Sequence, residues 1–528
     1  MLGELLQTTA GKWITHPPTR CPNGHPLGPN QVLVGHVACL GHGGGGHTSW
    51  ACITCDAVVY GPPMAKHCTA LEGPATVRLS NLMSDPMTVG GEFWTAHNPD
   101  IRERGELTVE DENRPEVRLE GILVDDGRAI RTDSATESVQ AFLPITLQGR
   151  LNTGESVTLL HAQNYGGRFG LPRYVGYNVI SGDYHVSGED QLYSDVRFHL
   201  DHPYWLGHLA EGDPVVLDDD KSTLNVERSD DGNWLVYASA SPATLRQLDI
   251  RVLSGCLVLA QLAIGLEQEL DIRQTEVRVD AGPWLAVQGP GLSAPIGGLN
   301  PEMLLPRDVL TVERFAKWIV LNDKLDGLAK IVARPNKGTV QERVLVSTPL
   351  IEGLHRRLPN EQFKFPTVPK AVLKQILNAA RDAAGAQADE AELDRKTVTD
   401  ATLFLTEVSF RHRATEIVTE VSAVVPEITE SVADLPGHLL KARNELAHHL
   451  VLDETKDPLE IRTLRWIVIS NVTPWLLRCL LLLHAGVEPQ VLHHGLMGYQ
   501  RFAFFRANTA RHVEELGWEP PTSSEPGS

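Results

Sequence analysis

Five of the seven cysteines (Cys21, Cys39, Cys52, Cys55 and Cys68) fall in the opening segment, residues 1–82, interleaved with His16, His25, His36, His42, His47 and His67. That segment also holds the Gly43–Gly46 run and scattered prolines. It has too little apolar material for a core of its own, so it needs a covalent or metal staple to fold. In a reducing compartment a Cys/His cluster points to metal before disulfides. The sharpest pattern is Cys21-Pro22-Asn23-Gly24-His25 followed by Cys52-Ile53-Thr54-Cys55. Each is a short knuckle presenting two ligands from one tight turn, which Gly24 permits, and two knuckles complete a tetrahedron. The expectation is a zinc-ribbon-like segment holding one structural zinc on Cys21, His25, Cys52 and Cys55. His36, Cys39, His67 and Cys68 remain alternatives for any of the four. The other reading is a Cys/His-rich segment that is merely reduced and poorly ordered. Cys256 and Cys479 sit alone in apolar runs, where cysteine behaves as a small hydrophobe.

The 528 residues, 42% hydrophobic and 22% charged, suit a soluble globular chain of several domains. The net charge of −20 argues against non-specific coating of nucleic acid, so any such chemistry needs a local basic pocket. Met1–Gly11 has no export-signal pattern. Two apolar runs invite a membrane test. Leu253–Leu266 is short for a span, and Trp466–Val487 carries Asn471, Pro474 and Arg478 in its middle. Both are expected to be buried core helices of a cytoplasmic protein with no membrane partner.

Beyond residue 82 the texture changes twice. Residues 83–310 alternate as strands, with Glu116–Leu123, Glu155–Leu160 and Val215–Leu217 among them and turn signals at Asp126-Gly127, Thr153-Gly154 and Asp231-Gly232. One apolar helix, Leu253–Leu270, closes this region. Its aromatics (Phe93, Trp94, Tyr165, Tyr174, Tyr177, Tyr204 and Trp205) read as core and edge packing rather than base-stacking platforms. Residues 311–517 carry apolar positions at helical spacing, predicting helices over Val312–Ile331, Val340–Leu358, Pro369–Ala384, Ala401–Val424, Pro436–Leu452, Leu459–Ala485 and Glu488–Glu515. Residues 518–528 read as a disordered tail. The fold class is multidomain α+β: a zinc-ribbon-like segment, a β-rich middle domain and an all-α C-terminal domain.

One predicted helix carries candidate chemistry: Lys441-Ala442-Arg443-Asn444-Glu445-Leu446-Ala447-His448-His449. Its Arg443–His448 spacing resembles the Arg-x4-6-His signature of HEPN ribonucleases. The bare spacing recurs at Arg20/His25, Arg197/His202, Arg478/His484 and Arg506/His512, so it is the context that singles out Arg443. This match lies in an all-helical region, with asparagine directly after the arginine and two adjacent histidines. A histidine can move a proton to or from a ribose oxygen near neutral pH, and a guanidinium can stabilise charge on phosphate. Asn444 and His448 are four apart and share a helix face, whereas Arg443 and His448 are about 140° apart. Either Arg443 reaches round on its long stem, or two copies of the helix meet in a dimer. The competing structural reading places Arg443, Glu445 and His449 on a solvated face and His448 in a satisfied packing position. Arg411, Arg413 and Lys441 either add a local positive patch to the site or belong to an ordinary exposed helix face.

Gly91-Glu92-Phe93-Trp94, Gly105-Glu106-Leu107 and Val117-Arg118-Leu119-Glu120-Gly121, with Thr348–Leu358 and Arg465–Glu515 flanking the motif, resemble the ApeA family of anti-phage HEPN proteins over about Thr88 to Gly517. The resemblance implies a metal-independent HEPN endoribonuclease of the abortive-infection type. Its catalytic residues would be Arg443, Asn444 and His448, with His449 as the alternative histidine. It also implies an RNA substrate, a homodimer formed through the HEPN domain and a phage-derived trigger. Residues 1–82 lie outside the resemblance, and Met83-Ser84-Asp85 reads as a plausible alternative start. Two other functions compete: a non-catalytic HEPN module that binds RNA or protein, and a zinc-ribbon nucleic-acid adaptor.

Overall fold

The computed structural model describes residues 5–7, 13–28, 31–37, 47–52, 55, 57–61, 87–110, 113–121, 123, 144–165, 172–202, 204–229, 232–266, 270–294, 303–334, 337–359, 368–402, 407–448 and 458–518. The chain divides into two compact units, Met1–Val77 and Arg78–Ser528. The expected tail, Glu519–Ser528, lies outside the described residues.

In the first unit β1 (Leu5–Gln7) pairs with β2 (Trp13–Thr15). Beyond them β3 (Val32–Val37), β4 (His47–Cys52) and β5 (Val58–Gly61) form an antiparallel three-stranded sheet. Among the described residues the hydrophobic cluster here is small: Cys21, Leu27, Trp50 and Cys52. So small a core matches the expectation that the segment depends on its cysteines.

The second unit begins with a barrel. Six strands, β6 (Met87–Thr95), β7 (Asn98–Val109), β8 (Glu116–Leu119), β9 (Ile145–Leu151), β10 (Ser156–Asn164) and β11 (Arg173–Val175), run in the order β11-β8-β7-β6-β9-β10. The circle closes because β11 pairs with both β8 and β10. Closure leaves no free edge. Sharp curvature needs close backbone approach, and the ring of Phe93 lies where a side chain at Gly149 would be, 2.4 Å from an added Cβ. Phe93, Leu107, Val117, Leu147, Leu159 and Tyr174 fill the interior.

From β10 the sheet continues through β12 (Asn178–Gly182), β18 (Leu285–Gln288), β17 (Ile272–Arg278), β13 (Leu192–Leu200), β16 (Gly232–Thr244), β15 (Thr223–Ser229) and β14 (Val215–Val216). Strand alternation lets β10 and β12 serve two cores. Leu159 and Val179 point into the barrel, while their neighbours Leu160 and Ile180 join the larger core shared with the helices. Of the seven aromatics expected to pack, Phe93, Trp94, Tyr174 and Trp205 are buried and Tyr204 is half-buried. Tyr165 and Tyr177 are exposed.

The helices are α1 (Leu245–Ile264), α2 (Val312–Leu325), α3 (Leu328–Ala333), α4 (Val340–Arg357), α5 (Lys370–Glu390), α6 (Arg395–Ala401), α7 (Phe410–Ser422), α8 (Leu435–His448), α9 (Leu459–His484), α10 (Pro489–Gly498) and α11 (Gln500–Glu515). Three expected helices are interrupted. The Val312–Ile331 run breaks where Asp326 and Gly327 turn left-handed. The Ala401–Val424 run restarts at Phe410, where the Ser409 hydroxyl caps the His412 N–H. The Glu488–Glu515 run breaks at Tyr499, whose ring is buried against Gly265, the left-handed residue that ends α1.

The helices α1 and α9 are long and apolar enough to cross a membrane. Their most apolar windows are, however, 67% and 78% buried inside the protein. A helix that is apolar all round is what a large core demands. Cys256 and Cys479 are both buried there, and burial pushes the Cys479 thiol up to about 12. Arg478, about two turns before the C-terminal end of α9, is fully buried as well. Its Nη1 donates to the carbonyls of Gln261 and Leu262 at 2.7 and 2.8 Å, and its Nη2 donates to that of Ala333 at 3.2 Å. These are carbonyls of the last turns of α1 and α3, which their own helices leave unpaired and which carry the negative end of the dipole. Burial lowers the Arg478 pKa to about 10, so the side chain is still a cation at neutral pH.

Two stability outcomes follow. Arg478→Met removes the donor for three buried carbonyls and should destabilise the second unit by about 3 kcal/mol in denaturant unfolding. A loss below about 1 kcal/mol would mean that the cation is dispensable. Asp201 is buried, and burial, together with the nearby Asp271 carboxylate, raises its pKa to about 6. Between pH ~4 and ~6 the folded chain therefore holds a proton that the unfolded chain releases, so this site's contribution falls as pH rises through that window. Asp201→Asn should accordingly raise the Tm at pH 7.5, by the equivalent of at most about 3 kcal/mol, and leave it nearly unchanged at pH 4. Equal Tm gains at both pH values would contradict the assignment.

Candidate functional site

The helix α8 starts where Asp434 adopts a left-handed conformation and accepts the Gly437 N–H at 3.2 Å, with Pro436 in the first turn. Leu435, Leu439 and Ala442 are buried at helical spacing and Leu446 packs beside them, which fixes the rotation of the helix. His438 stacks on Trp518 with ring centroids 3.6 Å apart. That rotation sends Lys441 and Arg443 outward.

Arg443 is 30% exposed and is held from two sides. Its Nη2 lies 3.5 Å from a Glu352 carboxylate oxygen on α4, and its guanidinium carbon lies 5.1 Å from the centre of the Phe410 ring on α7. Glu352 also accepts from Arg356, at 2.9 Å. Asn444 is half-buried. Glu445, expected on a solvated face, is instead buried. The Trp466 indole N–H donates to it at 3.2 Å, and Arg465 of α9 pairs with it at 3.4 Å. The solvated-face reading of Arg443, Glu445 and His449 therefore fails at Glu445. α8 ends at His448, whose side chain lies outside the described residues, as does the whole of His449.

The positive patch suggested by Arg411, Arg413 and Lys441 does not form. Arg411 is paired with Asp434 at 2.8 Å, and Lys441 lies 3.9 Å from Glu445. Arg413 is buried and donates through Nη1 to His355 Nδ1 at 2.8 Å. The other nitrogen of His355 meets Glu416. An Arg413–His355–Glu416 chain, whose arginine and histidine are buried and whose glutamate is partly exposed, thus ties α7 to α4. With Arg413 donating to Nδ1, His355 carries its proton on Nε2 toward Glu416, and burial lowers its pKa. Glu352, Phe410, His355 and Glu416 escaped the sequence reading. The only available signal was the run Glu352-Gly-Leu-His-Arg-Arg357, whose charges recur on two faces of one helix.

In the first unit the two knuckles converge. The ligand atoms of Cys21, His25, Cys52 and Cys55 all lie within 4.8 Å of one another, so the four could hold a metal ion. Cys21 Sγ is 3.7 Å from Cys55 Sγ and 3.6 Å from His25 Nδ1, and His25 Nδ1 is 3.2 Å from Cys55 Sγ. Tetrahedral zinc sets sulfur–sulfur edges of about 3.8 Å and sulfur–nitrogen edges of about 3.5 Å, so the donor set fits. The first knuckle turns at Gly24, φ +82°, with the Gly24 N–H on the Cys21 carbonyl at 2.9 Å. The Ala57 backbone N–H and the Asn23 amide hold the Cys55 thiol down to about 6, while burial pushes Cys21 up. Of the alternative ligands, Cys39, His67 and Cys68 lie outside the described residues. His36 is in β3, with its side chain outside them.

Comparison with known families fits this architecture. A model described as ApeA N-terminal domain 1 matches residues 89–233, the barrel and the strands β12 to β15. A model described as Apea-like HEPN matches residues 346–491, from α4 into α10 and across the whole Arg443–His448 segment. No curated protein and no solved structure matches the chain. The two matched stretches lie in the expected order and together cover more than half of the 528 residues. The chain has the two-domain architecture of the ApeA-like HEPN proteins, with a Cys/His cluster ahead of the two matched stretches.

Proposed function

We propose that the chain is an anti-phage HEPN endoribonuclease of the abortive-infection type, with Arg443, Asn444 and His448 as its catalytic residues and His449 as the alternative histidine. The observation that carries this reading is the position of the Arg443–His448 segment. It lies inside the HEPN match, on a helix whose buried face is fixed and whose arginine is partly open to solvent. His448 would take the proton from a ribose 2′-hydroxyl, or give one to the departing 5′-oxygen. Arg443 would hold the phosphate oxygens as charge builds, with Asn444 orienting either group. The products are a 2′,3′-cyclic phosphate and a 5′-hydroxyl, by chemistry that needs no metal.

Because five residues separate Arg443 from His448 by about 140° round the helix, a composite cleft between two copies of α8 suits the geometry better than one motif alone. The reading therefore includes a homodimer, an RNA substrate and a phage-derived trigger. The pairing of Arg443 with Glu352 favours one second reading, a non-catalytic HEPN module in which Arg443 only braces α4. The four converging ligands support a structural zinc in the first unit, which would hold the knuckles together and take no part in cleavage.

In cells, wild-type chain should cause growth arrest and RNA breakage. His448→Ala and Arg443→Ala should each lower cleavage about a hundredfold or more with the fold intact by circular dichroism. Loss through His449→Ala instead would move the site by one residue. Indifference to both histidines would leave the non-catalytic reading. For the metal, the purified chain should carry about one zinc, and Cys52→Ser should lose it and loosen only the first unit. Full zinc content in a Cys21→Ser, Cys52→Ser double variant would show that other residues bind it.

A further inference from the structure

Arg443 and Arg356 reach the same carboxylate from two different helices. Glu352, on α4, accepts from the Arg356 Nη2 at 2.9 Å and from its Nε at 3.2 Å, both through Oε1. The other oxygen, Oε2, lies 3.5 Å from the Arg443 Nη2 on α8. Each oxygen of one carboxylate thus has its own guanidinium. Carboxylate and phosphate are the anions whose paired oxygens match a guanidinium fork. A carboxylate held in this way therefore occupies the space that a phosphodiester, with its two non-bridging oxygens, would fill.

The Glu352–Arg356 pair alone has an ordinary explanation. The two residues are four apart on α4 with the acid nearer the N-terminus, the favourable order for a helix pair. Such a pair needs no second cation. Arg443 is brought to it by separate contacts: the Phe410 ring, 5.1 Å from its guanidinium carbon, and the Glu445 anchor that sets the rotation of α8. The three side chains are also within reach of a ligand. Arg356 is 43% exposed, Arg443 30% and Glu352 27%, whereas Arg413 on α7 is sealed in the interior. Glu407, the second acidic neighbour of Arg356, stands 3.8 Å away and is more than half exposed, so it holds that guanidinium weakly.

We propose that Arg356 is the second phosphate-holding residue of the Arg443 site, and that Glu352 fills the phosphate position while no RNA is bound. This role for Arg356 rests on the reading of Arg443 as a phosphate-holding residue, and adds to it a partner cation and a built-in competitor. A backbone phosphodiester carries one negative charge, as Glu352 does, so the exchange leaves the local charge unchanged. Glu352 is tethered one turn from Arg356 on the same helix, so it competes as an intramolecular ligand at high effective concentration. RNA displaces it by bringing further contacts of its own. A lone inorganic anion, with nothing to offer beyond its oxygens, gains little from the exchange.

The test is fluorescence anisotropy of a short, labelled single-stranded RNA on the full chain, with His448→Ala as the common background so that the RNA stays whole. Glu352→Gln keeps the shape, removes the charge and should tighten binding about threefold or more. Arg356→Ala should weaken binding about tenfold or more, and Arg356→Lys should recover part of that loss. The slope of log affinity against log salt should become shallower by about 0.7 in Arg356→Ala, the value of one phosphate contact on a single strand. An arginine that only braced α4 would leave that slope unmoved. Circular dichroism and unchanged Tm establish that the variants fold. Glu352→Gln binding no tighter, or Arg356→Ala with affinity and slope unaltered, would overturn the proposal, as would the absence of RNA binding in every variant. Cleavage is then measured with His448 restored. Cleavage without these affinity changes overturns the two-arginine site alone, and the affinity changes without cleavage overturn the nuclease reading alone.

Discussion

The larger unit depends on how a cation is accommodated in its core. The apolar helix α9 is largely buried, and about two turns before its C-terminal end the Arg478 guanidinium is fully buried. Removing a cation from water costs several kcal/mol unless its surroundings replace the lost hydration. Here the replacement is a set of carbonyls at the C-termini of α1 and α3, groups that would otherwise be orphaned in the same dry interior. Each side solves the other's problem. The consequence is positional: α1 and α3 must end where the guanidinium can reach them, so α1, which follows β16 at the rim of the sheet, is locked to α9. Beyond the barrel, which has a core of its own, the strands and helices of this unit accordingly share one core rather than meeting at a thin interface.

The same logic, a buried polar group matched to specific partners, sets up the α8 segment. Glu445 lies one turn beyond Lys441, on the side of the helix facing α9, and its carboxylate takes the Trp466 indole and the Arg465 guanidinium. This anchors the rotation of α8 within two residues of Arg443. Arg443 is then steadied by Glu352 and Phe410, themselves backed by the Arg413–His355–Glu416 chain. A phosphate arriving at Arg443 must compete with Glu352, which is shared with Arg356 and so is already partly satisfied without Arg443. Such an arrangement holds the guanidinium in place without burying it.

The sequence made some of this legible. The two knuckles were readable because a Cys-x3-His and a Cys-x2-Cys spacing leave few ways to arrange four soft ligands, and the structure brings those four together. The apolar run of α9 was readable as core because Asn471, Pro474 and Arg478 are poor residues for lipid, and that of α1 because the run is short for a span. Three things were not legible. The helix break at Tyr499 depends on tertiary packing, since Tyr499 is fixed by Gly265 from a distant helix. Glu445 read as surface because nothing local announces that Trp466 and Arg465 will face it. The barrel closure rests on the three-residue strand β11, far too short to carry a pattern of its own.

Charge placement links these observations. With 67 acidic and 47 basic residues, the chain has ample carboxylates to neutralise its arginines, and the helical region largely does so. Arg411, Arg506 and Arg356 each have an acidic partner, and Arg443 has one it must share. Where pairing is the rule, a cation whose carboxylate is shared carries more information than the net charge does. Arg443 is such a cation: its Glu352 partner also accepts from Arg356, so the charge is only partly neutralised. Glu352 meets Arg443 through one 3.5 Å pair, so a small shift of α4 is enough to loosen that contact and leave the guanidinium open to another anion.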